Sequence, residues 1–199
     1  FKVFTPYSRS FRTELNKDYL QTFPIPKKQK SLISDPDEIP KFELKDKLKL
    51  KALSLYAPGE IAAQNILEEF IIDKISKYKI ERDFPSLNST SKLSIYLSSG
   101  IISAKTCISE LLTRLEDLPG TGQYSWFNEI IWREFYKYII FHYPRVSMRK
   151  SFNEKYDDLE WRDSNQDFES WTQGETGFPI IDAAMKQLAT TGWMHNRLR

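Results

Sequence analysis

Hydrophobic and polar residues follow a helical period over most of residues 58–199 and keep no sustained period over residues 1–57. The clearest stretch is residues 123–143, where Phe127, Ile131, Phe135 and Tyr138 recur at three- and four-residue steps along one face. No strand pattern follows residue 57, and no internal repeat is present. The pattern predicts an all-α fold.

Start and stop signals divide this region into helices. Turn residues and caps predict a helix at 123–143 and five others: from Pro58 to Tyr78, around Leu93–Gly100, from Ser103 to about Leu115, over Phe168–Gln173, and from Pro179 to Gly192.

Residues 1–57 contain five prolines and two basic stretches, PKKQK and KFELKDKLKLK. Because no period is sustained there, we predict a long irregular connector that lies on a surface. The lysines could contact nucleic acid, but a solvated charged face is the favoured interpretation.

Composition narrows the class of protein without choosing a function. The 199 residues include 29 basic and 27 acidic side chains, a formal charge of +2, so only local clusters can argue for a nucleic acid. A single cysteine, Cys107, excludes an internal disulfide framework and favours a reducing, cytoplasmic compartment. The apolar runs are too short to span a bilayer. Since the sequence begins without Met, we expect a part of a longer protein.

The aromatic content of 14% fits either a core of large side chains, which is favoured, or a site that stacks on a planar ligand. On the helix at 123–143, the spacing puts four unlike residues on one face: Glu129, Trp132, Arg133 and Tyr136. They fit a structural ion pair covered by aromatic side chains, or a cavity wall that stacks on and hydrogen-bonds a base. Spacing alone leaves both interpretations open.

Two further stretches combine cations with hydroxyl or amide groups. The sequence STSKLS places Thr90, Ser91, Lys92 and Ser94 at a helix start, which suits a phosphate or a simple helix cap. Trp193, Asn196, Arg197 and Arg199 in GWMHNRLR could bind phosphates or join two helices. His195 has no metal-ligand spacing around it, and no nucleophile elbow or phosphate-binding loop occurs, so we predict no metal site.

These stretches carry a resemblance to a known family. ERDFPSLNSTSKLSIYLSSG, WFNEIIWREFYKY, GETGFPIIDAAMKQLATTGWMHNRLR and the opening FKVFTP resemble the class I cyclobutane pyrimidine dimer photolyases, a branch of the photolyase–cryptochrome family. The matches run in order over the whole chain. The resemblance implies that residues 1–57 are the end of an α/β antenna domain and an interdomain linker. It implies that residues 58–199 are the first part of a helical FAD-binding domain, in a chain that lacks the antenna domain itself.

The resemblance also implies a reaction. In the intact protein, light would drive an electron from reduced FAD to a pyrimidine dimer flipped out of UV-damaged DNA, which then splits. It implies a folate or deazaflavin antenna chromophore on the missing domain, and a monomer on DNA in the nucleoid. Since part of the flavin pocket would be missing, we expect this chain alone to bind FAD weakly or not at all and to be inactive.

Roles carry over by position. Glu129 and Trp132 match the lesion contacts, and Trp161 matches the outermost tryptophan of an electron relay. The residues expected at the flavin are Tyr78, Thr90, Ser91, Lys92, Leu93, Ser94, Trp126, Trp193, Asn196 and Arg199. The residues expected at DNA are Arg82, Glu129, Trp132, Arg133, Tyr136, Asn196 and Arg197. Lys92 stands where the family often has Arg, which retains the charge but loses bidentate geometry.

Three alternatives remain. A cryptochrome photoreceptor would share the fold, although the Glu129–Trp132 pair favours repair. A photolyase for the (6-4) lesion should show a pair of histidines, whereas His195 is followed by Asn196. The chain could also be a flavin-free helical module that only binds DNA.

Overall fold

The computed structural model describes residues 1–15, 18–23, 27 and 55–199. The basic stretch KFELKDKLKLK, and with it the interpretation of that stretch, lies outside the described residues.

Eight α-helices make up the described chain, and no strand is present in its described ranges, so the all-α prediction is confirmed. They are α1 Phe4–Glu14, α2 Glu60–Glu69, α3 Tyr78–Glu81, α4 Ser94–Ser98, α5 Ala104–Arg114, α6 Gly122–His142, α7 Asn165–Gln173 and α8 Pro179–Thr191. A π-helical turn, Phe70–Lys74, continues α2, and short 3-10 helices cover Pro144–Met148, Glu154–Tyr156 and Asn196–Leu198. None of the described helices is long and apolar enough to cross a membrane.

Helix α1 occupies part of the region for which we expected an irregular connector, so that prediction is wrong for Phe4–Glu14. Phe4, Tyr7 and Phe11 lie on one face of α1 and pack against the core. The helix propensity and hydrophobic period of these eleven residues were too weak to predict α1 from the sequence, because short helices gain most of their stability from tertiary packing.

Arg12 fixes α1 on the start of α6. Its guanidinium lies 4.5 Å from the ring centroid of Tyr124 and 4.7 Å from that of Phe127, and its Nε donates to Asp117 Oδ2 over 2.9 Å. Arg12 also donates to Asn128 Oδ1. A cation that is both stacked and paired holds the two helices in one register.

The main core lies between α2, α4, α5 and α6 and includes Leu67, Phe70, Ile108, Phe127 and Ile131, each at most 1% exposed. The core face predicted for residues 123–143 is therefore confirmed for Phe127, Ile131 and Phe135, while Tyr138 is half-buried. Capping is confirmed at two predicted positions: Ser103 Oγ accepts from Thr106 N over 3.0 Å, and Gly192 ends α8 in the left-handed region.

Gly122 lets α6 approach the turn after α2. A Cβ at this position would lie 1.7 Å from Ile75 O, so only glycine permits the contact. The close approach puts the ring centroid of Trp126 5.2 Å from that of Phe70. One face of α6 thereby lies beside α3 and α4, where the cavity described next is formed.

Candidate functional site

A cavity of about 520 Å³ opens between α3, α4, α6 and the 193–199 segment, a size typical of small-molecule sites. Its lining brings together most of the site residues expected from the sequence. They are Tyr78, Arg82, Thr90, Ser91, Lys92, Leu93, Ser94, Trp126, Glu129, Arg133, Trp193, Asn196, Arg197 and Arg199. Positions 78 and 199 are 121 residues apart, yet both face the same space.

Helix α6 contributes one stripe of residues to the cavity: Trp126, Glu129, Ile130, Arg133 and Lys137. At about 100° per residue these positions lie within a narrow sector of the helix. Trp132 and Tyr136 fall to one side of it. Of the four residues that the sequence places on one face, Glu129 and Arg133 therefore line the cavity, whereas Trp132 and Tyr136 do not.

Trp132 is stacked between neighbours and does not line the cavity. Its ring centroid lies 3.6 Å from that of Phe4, with 4° between the planes, and 5.6 Å from that of Tyr136. The helix expected to be absent, α1, thus covers one face of the indole. Tyr136 is 58% exposed beside it, outside the lining. The lesion-contact role of Trp132 and Tyr136 stays a prediction.

The segment 90–94 lines the opposite wall. Among the described residues, no side chain caps α4, so the helix-cap interpretation of STSKLS is wrong. Ser91 Oγ accepts from Leu93 N over 3.5 Å and from Trp126 Nε1 over 3.4 Å, and the second bond ties this segment to α6. No hydrogen bond to a described residue engages the Thr90 or Ser94 hydroxyl, so both can bind a ligand.

Lys92 has a left-handed backbone, with φ of 54°, which costs on the order of 1 kcal/mol for a residue with a side chain. Its Nζ lies 5.6 Å from the ring centroid of Trp193. This cation–π contact holds the ammonium group beside the cavity. Residues with a strained backbone are common at ligand-binding sites, which fits such a role for Lys92.

Tyr78 and Arg82 form the floor on α3 and just after it. The Arg82 guanidinium lies 5.2 Å from the Tyr78 ring centroid, and its Nη2 pairs with Glu129 Oε1 over 2.7 Å. Burial raises the pKa of the Tyr78 phenol to about 12, so this group stays protonated and can donate a hydrogen bond.

The 193–199 segment closes the cavity after α8. His195 is 2% exposed, and its Nδ1 accepts from Arg197 N over 3.2 Å. Arg197 Nε donates to Asp83 Oδ1 over 2.6 Å, which ties the segment to the end of α3. Asn196 and Arg199 are exposed at the rim.

Positive charge dominates the cavity. Within the described chain, its lining contains six cationic side chains and one carboxylate, that of Glu129. Arg133 is held by Leu97 O and Glu134, but Lys92 and Arg199 form no ion pair with any described residue. The arrangement therefore suits a ligand with several negative charges.

Sequence reasoning missed part of the lining: Leu97, Ser98, Ile130, Lys137, Met194 and His195. The sequence could have indicated Lys137, because Glu129, Arg133 and Lys137 are spaced i, i+4, i+8 on one helix. The others gave no signal, since they read as ordinary core or loop residues. Trp161 lies elsewhere, 82% exposed, so its relay role stays a prediction. The described residues hold no group of side chains suited to a metal ion.

Protonation of His195 is expected to destabilise the fold. Burial, followed by the nearby Arg197 charge, lowers the pKa of His195 below its ordinary value of 6.5. Between pH 6.5 and the lower pKa of His195 in the folded state, the unfolded chain binds a proton at His195 that the folded chain does not bind. The free energy of unfolding therefore falls as the pH falls. We expect the urea midpoint to drop between about pH 7.5 and about pH 5.5.

The variant His195→Asn keeps an acceptor for Arg197 N but does not titrate, so its midpoint should fall less steeply over that interval. His142→Asn, at an exposed position, is the matched control. Equal pH dependence in His195→Asn and the unchanged chain would exclude His195 as the titrating group.

Fold and site together define a helical domain with a cationic, aromatic cavity of the kind that holds a nucleotide cofactor. Residues 126–199 match the family described as the FAD binding domain of DNA photolyase. The deoxyribodipyrimidine photo-lyases of Buchnera aphidicola and Escherichia coli are 39% and 34% identical to the chain over its full length. The chain belongs to the photolyase–cryptochrome family and spans about two fifths of the length of these relatives, 41% and 42%.

Solved structures agree with this assignment. A bacterial class III photolyase from Agrobacterium tumefaciens superposes with a TM-score of 0.79 and 32% identity, covering 100% of this chain and 42% of that one. A Synechocystis cryptochrome superposes with a TM-score of 0.58 and 25% identity over 71% of this chain and 30% of its own. Class I membership within the family stays a prediction.

Proposed function

We propose that the chain forms the lesion-binding wall and part of the FAD pocket of a deoxyribodipyrimidine photolyase that repairs cyclobutane pyrimidine dimers in UV-damaged DNA. The observation that carries the proposal is the cavity lined by six cations, two indoles and a lone carboxylate, among the described residues. DNA supplies the phosphates for such cations, and a base supplies hydrogen-bonding groups for the carboxylate.

The cavity residues fit FAD in charge and shape. Lys92 and Arg199 would hold its pyrophosphate, together with the hydroxyls of Thr90 and Ser94, because none of these groups forms an ion pair or a hydrogen bond with a described residue. The rings of Trp126 and Trp193 offer apolar walls for its planar parts. When bound and reduced, FAD supplies the light-driven electron transfer. We also propose that the whole protein binds an antenna chromophore and is monomeric and intracellular.

Glu129 would orient the damaged bases. Arg82 pairs with its Oε1 and leaves the remaining lone pairs of the carboxylate free to accept from a base edge. Arg82, Arg133 and Arg197 would bind the phosphates on either side. Trp132, held between Phe4 and Tyr136, would contact the lesion only at its edge.

A hybrid enzyme tests the function. The segment of the Buchnera aphidicola photolyase that aligns with this chain is replaced by residues 1–199, and dimer loss from an irradiated oligonucleotide is followed under blue light and in the dark. We expect light-dependent repair. In this hybrid, Glu129→Gln should lower repair or dimer affinity about tenfold, because a charged acceptor is replaced by a neutral amide and the hydrogen bond to the base is weakened.

Glu116→Gln, which removes an exposed carboxylate outside the cavity, is the matched control and should leave repair unchanged. A folded, flavin-loaded hybrid that repairs no dimers would reject the proposal. The absorption spectrum of the purified 199-residue chain tests whether this chain binds FAD by itself, and we expect no stoichiometric flavin. Bound flavin would contradict that expectation and would also argue against a flavin-free DNA-binding module.

A cryptochrome-type photoreceptor is the second candidate, because Trp132 is covered by Phe4 and does not face the cavity. This function predicts that the hybrid binds flavin and responds to light but shows no preference for dimer-containing DNA. The repair assay separates the two.

A further inference from the structure

A carboxylate outside the cavity lining, that of Asp83, contacts one of the proposed DNA-binding arginines. Asp83 Oδ1 lies 2.6 Å from both Nε and Nη2 of Arg197, and 3.9 Å from Nε of Arg82. Arg82 in turn pairs with Glu129. Four charged residues of alternating sign therefore connect α6, the end of α3 and the 193–199 segment.

The contact occupies the edge of Arg197 that suits an anion. Nε and Nη2 form one of the two forks by which a guanidinium binds a carboxylate or a phosphate bidentately. Here both donors point to a single carboxylate oxygen. A DNA phosphate that approaches this edge must displace Asp83 and must also overcome the repulsion between two negative charges.

The exposed fractions of the four side chains show which of these ion pairs can open. The Arg82 and Glu129 side chains are 17% and 31% exposed, whereas those of Asp83 and Arg197 are 54% and 48% exposed. Exposed ion pairs contribute little and are screened by salt, so the outer pair can open without disturbing the inner one.

We infer that Asp83 imitates a DNA phosphate: its carboxylate occupies Arg197 in the absence of DNA and weakens DNA binding that depends on phosphate contacts. This inference rests on the proposed DNA-binding function. Any duplex must displace Asp83 to place a phosphate on Arg197, so this cost applies to damaged and undamaged DNA alike. A dimer that enters the cavity adds contacts with Glu129, so damaged DNA still binds where phosphate contacts alone do not suffice.

Removal of the charge tests the inference. The hybrid photolyase and its Asp83→Asn variant are titrated with an undamaged fluorescent duplex at several salt concentrations, and folding is checked by circular dichroism. We expect Asp83→Asn to bind about threefold to tenfold more tightly, and its affinity to fall more steeply with salt as one more phosphate contact forms. An irradiated duplex should gain by a similar factor, because the same phosphate contact is freed, so the ratio of the two affinities should stay nearly constant.

Three variants separate this role from its alternatives. Asp73→Asn removes an exposed carboxylate elsewhere and corrects for the change in net charge. Asp83→Glu keeps the charge and should bind like the unchanged hybrid. Arg197→Gln combined with Asp83→Asn should abolish the gain, because the freed arginine is the group that binds.

The outcomes are distinct. An affinity for undamaged DNA that falls, or rises no more than in Asp73→Asn, overturns the inference and makes Asp83 a support for Arg197 instead. Failure of every variant and of the unchanged hybrid to bind DNA, even at low salt, overturns the DNA-binding function itself and this inference with it.

Discussion

Substitution of Gly122 by alanine is expected to destabilise the fold by about 3 kcal/mol or more. The new Cβ would lie 1.7 Å from the carbonyl oxygen of Ile75 and 2.9 Å from its carbon, so backbone must move on one side. The first turn of α6 would separate from the turn after α2, and the Trp126–Phe70 contact would open. Urea unfolding followed by circular dichroism measures the loss.

The neighbouring substitution Gln123→Ala provides the control, since it changes the same helical turn at a half-buried position and should shift stability by no more than about 0.5 kcal/mol. Equal stabilities for Gly122→Ala and Gln123→Ala would show that α6 does not approach the Ile75 carbonyl this closely.

Replacement of Lys92 by glutamine is expected to weaken FAD binding by about tenfold to a hundredfold, because a charge-assisted contact to the pyrophosphate is lost. Stability should stay nearly constant, since Lys92 is exposed and its left-handed backbone already disfavours any side chain. The hybrid photolyase is stripped of flavin and titrated with FAD, with flavin fluorescence as the signal.

Two further variants sharpen this prediction. Lys105→Gln, at a lysine outside the cavity, should bind FAD normally. Lys92→Asn should bind FAD weakly yet be as stable as the unchanged protein or slightly more, because asparagine tolerates the left-handed region. FAD affinity unaffected by either change at position 92 would remove Lys92 from the pyrophosphate site.

The same charge arrangement links these predictions with that for Asp83. Phosphate groups of a flavin and of DNA would both be held by cations whose own partners are few or exchangeable. Arg82 and Arg133 are already paired with Glu129 and Glu134, so a phosphate that they bind must compete with those carboxylates. Lys92, Arg197 and Arg199 are the cations most able to respond to a ligand.

The sequence by itself determined the helical class, the position of α6, the caps at Ser103 and Gly192, and the polar stretch at 90–94. Each depends on spacing of three or four residues or on one local hydrogen bond, which neighbouring residues along the chain are enough to specify. Resemblance of whole motifs added the family and the expected flavin and DNA residues, most of which line one cavity.

Only the tertiary structure decided the rest. The face of α6 that meets the cavity depends on α1, whose Phe4 covers Trp132, and on Gly122, which sets how closely α6 approaches Ile75. The pairing of Asp83 with Arg197 joins residues 114 positions apart. Such contacts arise from the packing of whole helices, because a helical period gives the angle between two side chains on one helix but not which neighbour each side chain meets.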